Sequence, residues 1–362
     1  MRSIFVIDRD MAHRELSHIR TMLVGLVDSG VQTTLALPED MCHAQEALPG
    51  VTVLGYRDRG SPWTRSLRGK DLVARLGTIE PEKTVVHGIG GKAHMMAAEL
   101  SHQIGSPVLL EVHSRESILR AVGIAKERSG DCLLLAPSPQ LARATTAAGA
   151  APASVRELPW GVMKNDNADT KSQSPTTGVV VTGSGNDKAN WESVLRALAQ
   201  IASRREDFVV LANAEAASVA GVGGLVRSLG LSPLFSRVPK LESDRQVVLL
   251  ADIMVCPDAE GEHRSIVFDA MAAGMAIVAA EDSDIPALCD PKVVRVASGD
   301  VSEWTSAIED LIENAGLRRE LGQRAMAYVA EHHRPSRYVA GLVDAYGWML
   351  GNDSIPMTGE LS

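Results

Sequence analysis

Long apolar runs are missing from this 362-residue sequence. No stretch of about 18 apolar residues occurs, so nothing reads as a membrane-spanning helix, and the opening Ile4-Phe5-Val6-Ile7 is too short for the core of a secretory leader. Cysteine is scarce as well. The four present, Cys42, Cys132, Cys256 and Cys289, lie far apart and form no C-x-x-C pair. That argues against a disulfide framework or a zinc finger and for reduced, buried thiols. With no H-E-x-x-H cluster either, no metal site is expected. Positive charge is in deficit: 36 Lys and Arg stand against 45 Asp and Glu, a net charge of −9. Nucleic-acid backbones and anionic membranes would repel such a molecule as a whole, so no nucleic-acid partner is expected and any membrane contact must be local. A cytoplasmic protein is the expectation.

What the sequence does have is the composition of a globular protein able to bury a sizeable core, 45% hydrophobic and 22% charged. Its length is about twice that of a usual domain, so two domains are expected. Short β-branched apolar runs alternate with helical patterns throughout, the mark of parallel sheets built from βαβ units. Strands are expected at 3–8, 31–37, 51–56, 84–88, 107–113, 131–136 and 155–158, then at 178–183, 208–213, 234–238, 252–256, 276–280 and 293–296. In the second half helices fit 190–204, 217–229, 243–251, 265–274, 302–313, 317–333 and 336–350. Residues 164–176 are polar and read as a linker. The expected division is a first domain at 1–163, a second at 177–335, a helix at 336–351 packing back on the first, and a tail at 352–362. The fold class is α/β, two doubly wound Rossmann-like domains with a cleft facing their strand C-termini.

One segment carries chemistry. Asp252-Ile253-Met254-Val255-Cys256-Pro257 reads as a strand, Asp258-Ala259-Glu260-Gly261-Glu262-His263-Arg264 as an acidic loop, and Ser265-Ile266-Val267-Phe268-Asp269-Ala270-Met271-Ala272-Ala273-Gly274 as a small-residue helix. A helix N-terminus offers unpaired N–H groups and about half a positive charge, which suits a diphosphate. Carboxylates beside it suit sugar and ribose hydroxyls, which donate to them. These features describe a nucleotide-sugar site.

The segment resembles the donor-site signature of retaining GT-B glycosyltransferases of family 4 (group 1), where a strand ending in Pro leads to Glu-Gly-Phe-Gly and then Glu-Ala-Met-Ala-x-Gly. Further stretches are similar to that family in the same order: Val85-Val86-His87, Val108-Leu109-Leu110-Glu111-Val112-His113, Leu135-Ala136-Pro137-Ser138, Pro159-Trp160-Gly161-Val162, Val238-Pro239 and Leu321-Gly322-Gln323-Arg324-Ala325. The resemblance implies a hexosyltransferase that moves a sugar from a nucleotide-diphosphate-sugar co-substrate to an unknown glycan or lipid-linked acceptor, with retention and without a metal or other cofactor. It gives catalytic roles to His113, Glu260 and Glu262. It sets Ser184, Lys188, His263, Arg264, Ser265 and Asp269 against the donor, and His13, Arg14 and His18 against the acceptor.

Departures from the family accompany the matches. Aligning Asp269 with the family's second Glu puts Gly261 at the place of its first, with Glu260 and Glu262 on either side. Ser184 stands where the family has a diphosphate-gripping Arg, and His13-Arg14 replaces a Gly-Gly loop. Arg264, at a family Gly position, reads as a relocated phosphate contact, because a guanidinium suits bidentate phosphate binding. Two other functions fit the same fold: a binding or scaffold protein without turnover, and a nucleotide-sugar epimerase. Gly183-Ser184-Gly185 is followed by Lys188 in place of a third glycine, which argues against a nicotinamide site. His113 either bonds the donor sugar or caps a strand end, His18 meets either acceptor or a neighbouring loop, and Asp269 holds either the ribose or the helix charge. Finally, Arg57, Arg59, Arg65, Arg68, Lys70 and Arg75 outnumber Asp58 and Asp71 around Trp63. Residues 57–75 are a solvated face, a contact for an anionic acceptor, or a peripheral contact with lipid headgroups.

Overall fold

Every strand expected from the alternation of apolar runs forms. The computed structural model describes residues 1–42, 48–128, 130–163, 176–242, 245, 248, 251–297 and 299–351, which fall into two units. Unit 1 comprises Met1–Gly161 and the segment from Pro335 onward, and unit 2 is Val162–Arg334. Unit 1 is built on β1 (Arg2–Ile7), β2 (Gln32–Pro38), β3 (Val51–Tyr56), β4 (Thr84–Ile89), β5 (Val108–Glu111), β6 (Cys132–Ala136) and β7 (Val155–Glu157). They make a seven-stranded parallel sheet in the order β3-β2-β1-β4-β5-β6-β7. Unit 2 repeats the plan with β8 (Thr177–Val181), β9 (Phe208–Asn213), β10 (Phe235–Val238), β11 (Ile253–Cys256), β12 (Ala276–Ala280) and β13 (Arg295–Ala297). Their order is β10-β9-β8-β11-β12-β13, again parallel. In each sheet the winding reverses beside the first strand, between β1 and β4 and between β8 and β11. Open α/β sheets bind ligands beyond the strand C-termini at that reversal.

The strands are continuous apolar runs because helices cover both faces of each sheet. Ile4, Phe5, Val6 and Ile7 have no exposed surface. Strand geometry sends Ile4 and Val6 into one core with Leu72 and Leu100, and Phe5 and Ile7 into the other with Leu23 and Leu342. In unit 2, Val179 and Val181 share a core with Trp191 and Trp304, while Val180 shares the other with Phe268. All four cysteines are free, Cys132 and Cys256 buried and Cys42 and Cys289 partly exposed.

Helices form at Lys188–Ala202, Ser265–Ala272, Val301–Glu313 and Ala315–His332, as expected. The single helix expected at 217–229 is two, Ala214–Val219 and Gly223–Ser228, because Gly221 adopts φ +72° between them, a left-handed conformation that glycine takes without penalty. The helix Pro335–Met349 belongs to unit 1, where Tyr338, Leu342 and Tyr346 fill the core around Leu23. Most of the expected 243–251 helix, most of the 164–176 linker and the 352–362 tail lie outside the described residues. Among the described residues no helix is long and apolar enough to cross a membrane.

Candidate functional site

At the winding reversal of unit 2, β8 runs into the loop that holds Ser184, and β11 runs into Asp258. The Asp258 carboxylate is enclosed by that loop. It accepts from the amides of Gly185 (3.2 Å) and Asp187 (2.9 Å) and from the Trp191 indole (3.0 Å). The Ser184 hydroxyl lies 3.0 Å from Asp258 and 3.0 Å from Glu260, so one proton serves two carboxylates. Asn186 adds a bond from its side-chain amide to Glu260 (3.1 Å). Gly183 is required here, since a Cβ would collide with Asp258. Loop amides of this kind form an anion cradle, and this one holds the chain's own carboxylate.

The start of helix Ser265–Ala272 is equally engaged. Arg264, 8% exposed, pairs with Glu242 at 2.7 Å and with Glu262 at 2.6 Å, and Glu242 also accepts from the Thr182 hydroxyl at 2.8 Å. Buried Arg245 pairs with Asp269 and donates to the Ser265 hydroxyl at 2.8 Å. Guanidinium groups at a helix N-terminus are disfavoured by the helix dipole, and three carboxylates offset them here. Gly261 sits at φ +68°, its amide donates to buried Asp282 at 2.7 Å, and a Cβ would collide with the Asp284 carboxylate. A side chain at position 261 would therefore be strained and pressed against Asp284. Its neighbours diverge, Glu260 toward the Ser184 loop and Glu262 toward Arg264. His263 is buried with Nε2 3.3 Å from the Asp284 carbonyl and its ring stacked on Phe268. Lys188, exposed on the first turn of helix Lys188–Ala202, has no side-chain partner among the described residues.

Of these groups Ser184, Asp258, Glu260, Glu262, Arg264 and Asp282 line a cavity of about 30 Å³, four carboxylates beside one guanidinium. It carries the wrong sign for a diphosphate unless Arg264 is released. Glu242→Gln combined with Glu262→Gln, which neutralises both of its carboxylate partners, should release it. Nucleoside-diphosphate affinity should rise by about tenfold, the value of one charge-assisted contact. Titration calorimetry with UDP, GDP and ADP checks this, and an unchanged or weaker affinity would mean that Arg264 does not face the phosphates.

Unit 1 gathers its own polar cluster around Glu111, the last residue of β5. This buried carboxylate accepts from the Trp160 indole (3.1 Å) and the Tyr338 hydroxyl (2.9 Å), and His87 Nε2 lies 3.0 Å away. His87 Nδ1 is 2.7 Å from the Tyr346 hydroxyl. Burial works to raise the Glu111 pKa, but the hydrogen bond and charge of His87, together with His113 and Tyr338, outweigh it and hold the carboxyl down at about 2. His94 places Nε2 2.9 Å from the Glu111 carbonyl, and burial pushes its pKa down to about 3. His113 is 4% exposed, burial lowers its pKa, and neither ring nitrogen has a hydrogen-bond partner among the described residues. An unsatisfied buried imidazole costs stability, which a hydroxyl supplied by a ligand would restore. His18 stacks on Trp160 with centroids 4.7 Å apart. His13 is exposed and Arg14 half-buried in the last turn of helix Arg9–Arg14, which follows β1.

Sequence reasoning gives no role to Glu111, Asp258, Glu242 or Arg245. Glu111 and Asp258 do carry a usable signal, a carboxylate at the end of an apolar strand. Among the described residues no group of three or more His, Cys, Asp or Glu side chains is arranged to hold a metal ion.

Neither a family model nor a curated protein matches the sequence. Solved structures do match its shape. Sucrose-phosphate synthase from Thermosynechococcus elongatus superposes with a TM-score of 0.77 at 14% identity, over 97% of this chain and 100% of that one. The fold is GT-B. HepE of Anabaena in complex with UDP gives 0.70 at 14% identity over 96% and 100% of the two chains, and HepE is also solved with UDP-glucose. The lipopolysaccharide outer core galactosyltransferase WaaB gives 0.66 at 13% identity over 95% and 99%.

Proposed function

We propose that the chain is a glycosyltransferase that takes a sugar from a nucleotide-diphosphate sugar and passes it to a glycan or lipid-linked acceptor. The observation that carries the reading is the likeness, over nearly the whole of each chain, to HepE, which is solved with UDP and with UDP-glucose. The finer reading is a retaining, family 4-like reaction with the nucleotide sugar as sole co-substrate. Negative charge growing on the leaving diphosphate is then met by Lys188 and by the amides that open helix Ser265–Ala272, doing the work of a metal. Glu260 orients sugar hydroxyls, and Asp269, held by Arg245, takes the ribose. His113 bonds a sugar hydroxyl through a ring that is already desolvated, so little reorganisation remains at the moment of reaction.

Turnover of labelled nucleotide sugars tests this. Lys188→Ala and His113→Ala should each lower it by about 100-fold, the usual effect of removing one transition-state contact. A second reading, a GT-B protein that binds without turnover, is favoured by Gly261, which brings no carboxylate to the place aligned with the first Glu, and by Asp258, which fills the loop. Saturable nucleotide binding without transfer or donor hydrolysis would establish it.

A further inference from the structure

We propose that unit 1 carries an anion site of its own, a cation-lined cavity that takes a phosphate or diphosphate group. The cavity measures about 330 Å³. It lies beyond the C-terminal ends of β1, β3 and β4, where Asp8, Tyr56 and Lys92 enter its lining, and so at the winding reversal of this sheet. Five cations line it against two carboxylates, Asp8 and Asp58. Two of the five are already matched: Arg9 pairs with Asp40 at 2.7 Å and Asp58 at 3.1 Å, and Lys92 with Asp10 at 2.7 Å.

The other three are not. Arg68 donates to the carbonyls of Arg57 (2.9 Å) and Asp58 (3.3 Å), and Arg120 donates to the Gly91 carbonyl. Arg65 has no side-chain partner among the described residues. The Asp8 carboxylate is turned to the amides of Met11 (2.9 Å) and Lys92 (3.0 Å). Three guanidinium groups around one space repel each other unless an anion lies between them, and planar forks of N–H donors are matched to phosphate oxygens. The volume suits a diphosphate with a small organic group attached. Pro62 lines the cavity, and Trp63 (92% exposed) and Leu67 (66% exposed) follow it in the chain, offering apolar contact to whatever bears the phosphate.

The binding site stands without the glycosyltransferase reading, whereas its assignment as the place of a phosphate-bearing acceptor rests on that reading. The phosphate has two sources, a soluble phosphorylated molecule or a lipid headgroup, and the test separates them.

Inorganic pyrophosphate is titrated into the full chain by calorimetry, and tryptophan fluorescence, to which exposed Trp63 contributes, is followed with phosphatidylcholine vesicles containing phosphatidate. Arg65→Ala and Arg120→Ala should each weaken binding of the probe by at least about tenfold while Arg319→Ala, at an exposed arginine of helix Ala315–His332, leaves it unchanged, and the affinity should fall as salt is raised. Pyrophosphate binding in solution identifies a soluble ligand. A blue shift with phosphatidate vesicles, lost in the two arginine variants, identifies a headgroup. Binding lost only in Lys188→Ala places the anion in unit 2 and overturns the proposal, as do binding indifferent to the arginine variants and absence of binding to both probes. Sugar transfer is read in neither arm, so failure of the glycosyltransferase reading is seen separately.

Discussion

Replacing Glu111 with alanine should lower the unfolding free energy by about 3–5 kcal/mol, the loss seen when one partner of a buried charged network is removed. Two donors depend on this carboxylate in a dry core, the Trp160 indole and the Tyr338 hydroxyl, and His87 Nε2 lies 3.0 Å from it. Without it they are left buried and unpaired, each at about 1–3 kcal/mol before relaxation, around a new cavity. The effect is not confined to one strand. Trp160 lies at the end of the segment Met1–Gly161, and Tyr338 lies on the helix Pro335–Met349 that completes the same unit. One side chain therefore ties both segments of unit 1 to the middle of its sheet. Glu111→Gln keeps the volume and one acceptor oxygen, so it should lose roughly half as much. Urea unfolding followed by tryptophan fluorescence measures both, since Trp160 is a direct neighbour. A Glu111→Ala stability within about 1 kcal/mol of the parent would show that Glu111 is not the hub described. His113, two residues on, packs against Trp160 with ring centroids 5.6 Å apart, so the same variant should also disturb the candidate ligand contact.

The fold is legible because its signal is local and repeated. Val179-Val180-Val181 is a run of β-branched residues that suits a strand buried on both faces, and its recurrence between helical patterns sets a parallel sheet. The stretch 217–229 departs from its expected single helix at Gly221, whose positive φ leaves no trace in apolar periodicity. The site is legible only in part. Ser184, Glu260, Arg264, Ser265 and Asp269 do gather at the end of the unit 2 sheet, because strand ends and helix starts are read from local pattern. Their partners are not local. Asp258 is held by a loop more than 70 residues earlier in the chain, and Arg264 is paired with Glu242, so which charges are already satisfied is decided by tertiary packing. Gly261 shows the same limit: a glycine between two glutamates is visible in the sequence, whereas the Asp284 carboxylate against it is not.

Acidification should destabilise unit 1 well before its carboxylates are protonated, and His94 is the cause. Burial holds this imidazole at about 3, below the ordinary value near 6.5, so the folded state keeps it neutral while the unfolded chain takes up a proton. The stability associated with neutral His94 is therefore complete above a pH of about 6.5 and is lost as pH falls toward about 3. Between pH 7 and 5 the loss should be about 2 kcal/mol. Glu111 acts in the same sense at lower pH. With its folded pKa at about 2 and an unfolded value near 4.5, its contribution is complete above about 4.5 and disappears on the way down to about 2. His113, also lowered by burial, adds to the first phase. Asp8, which burial raises, works in the opposite direction, so the slope of the parent protein alone does not isolate the imidazole. A comparison does. His94→Gln places an amide donor near the position of Nε2, keeps the bond to the Glu111 carbonyl and removes the titrating group. Urea midpoints at pH 7, 6 and 5 should fall less steeply for His94→Gln than for the parent, and parallel slopes would assign the acid sensitivity to other groups.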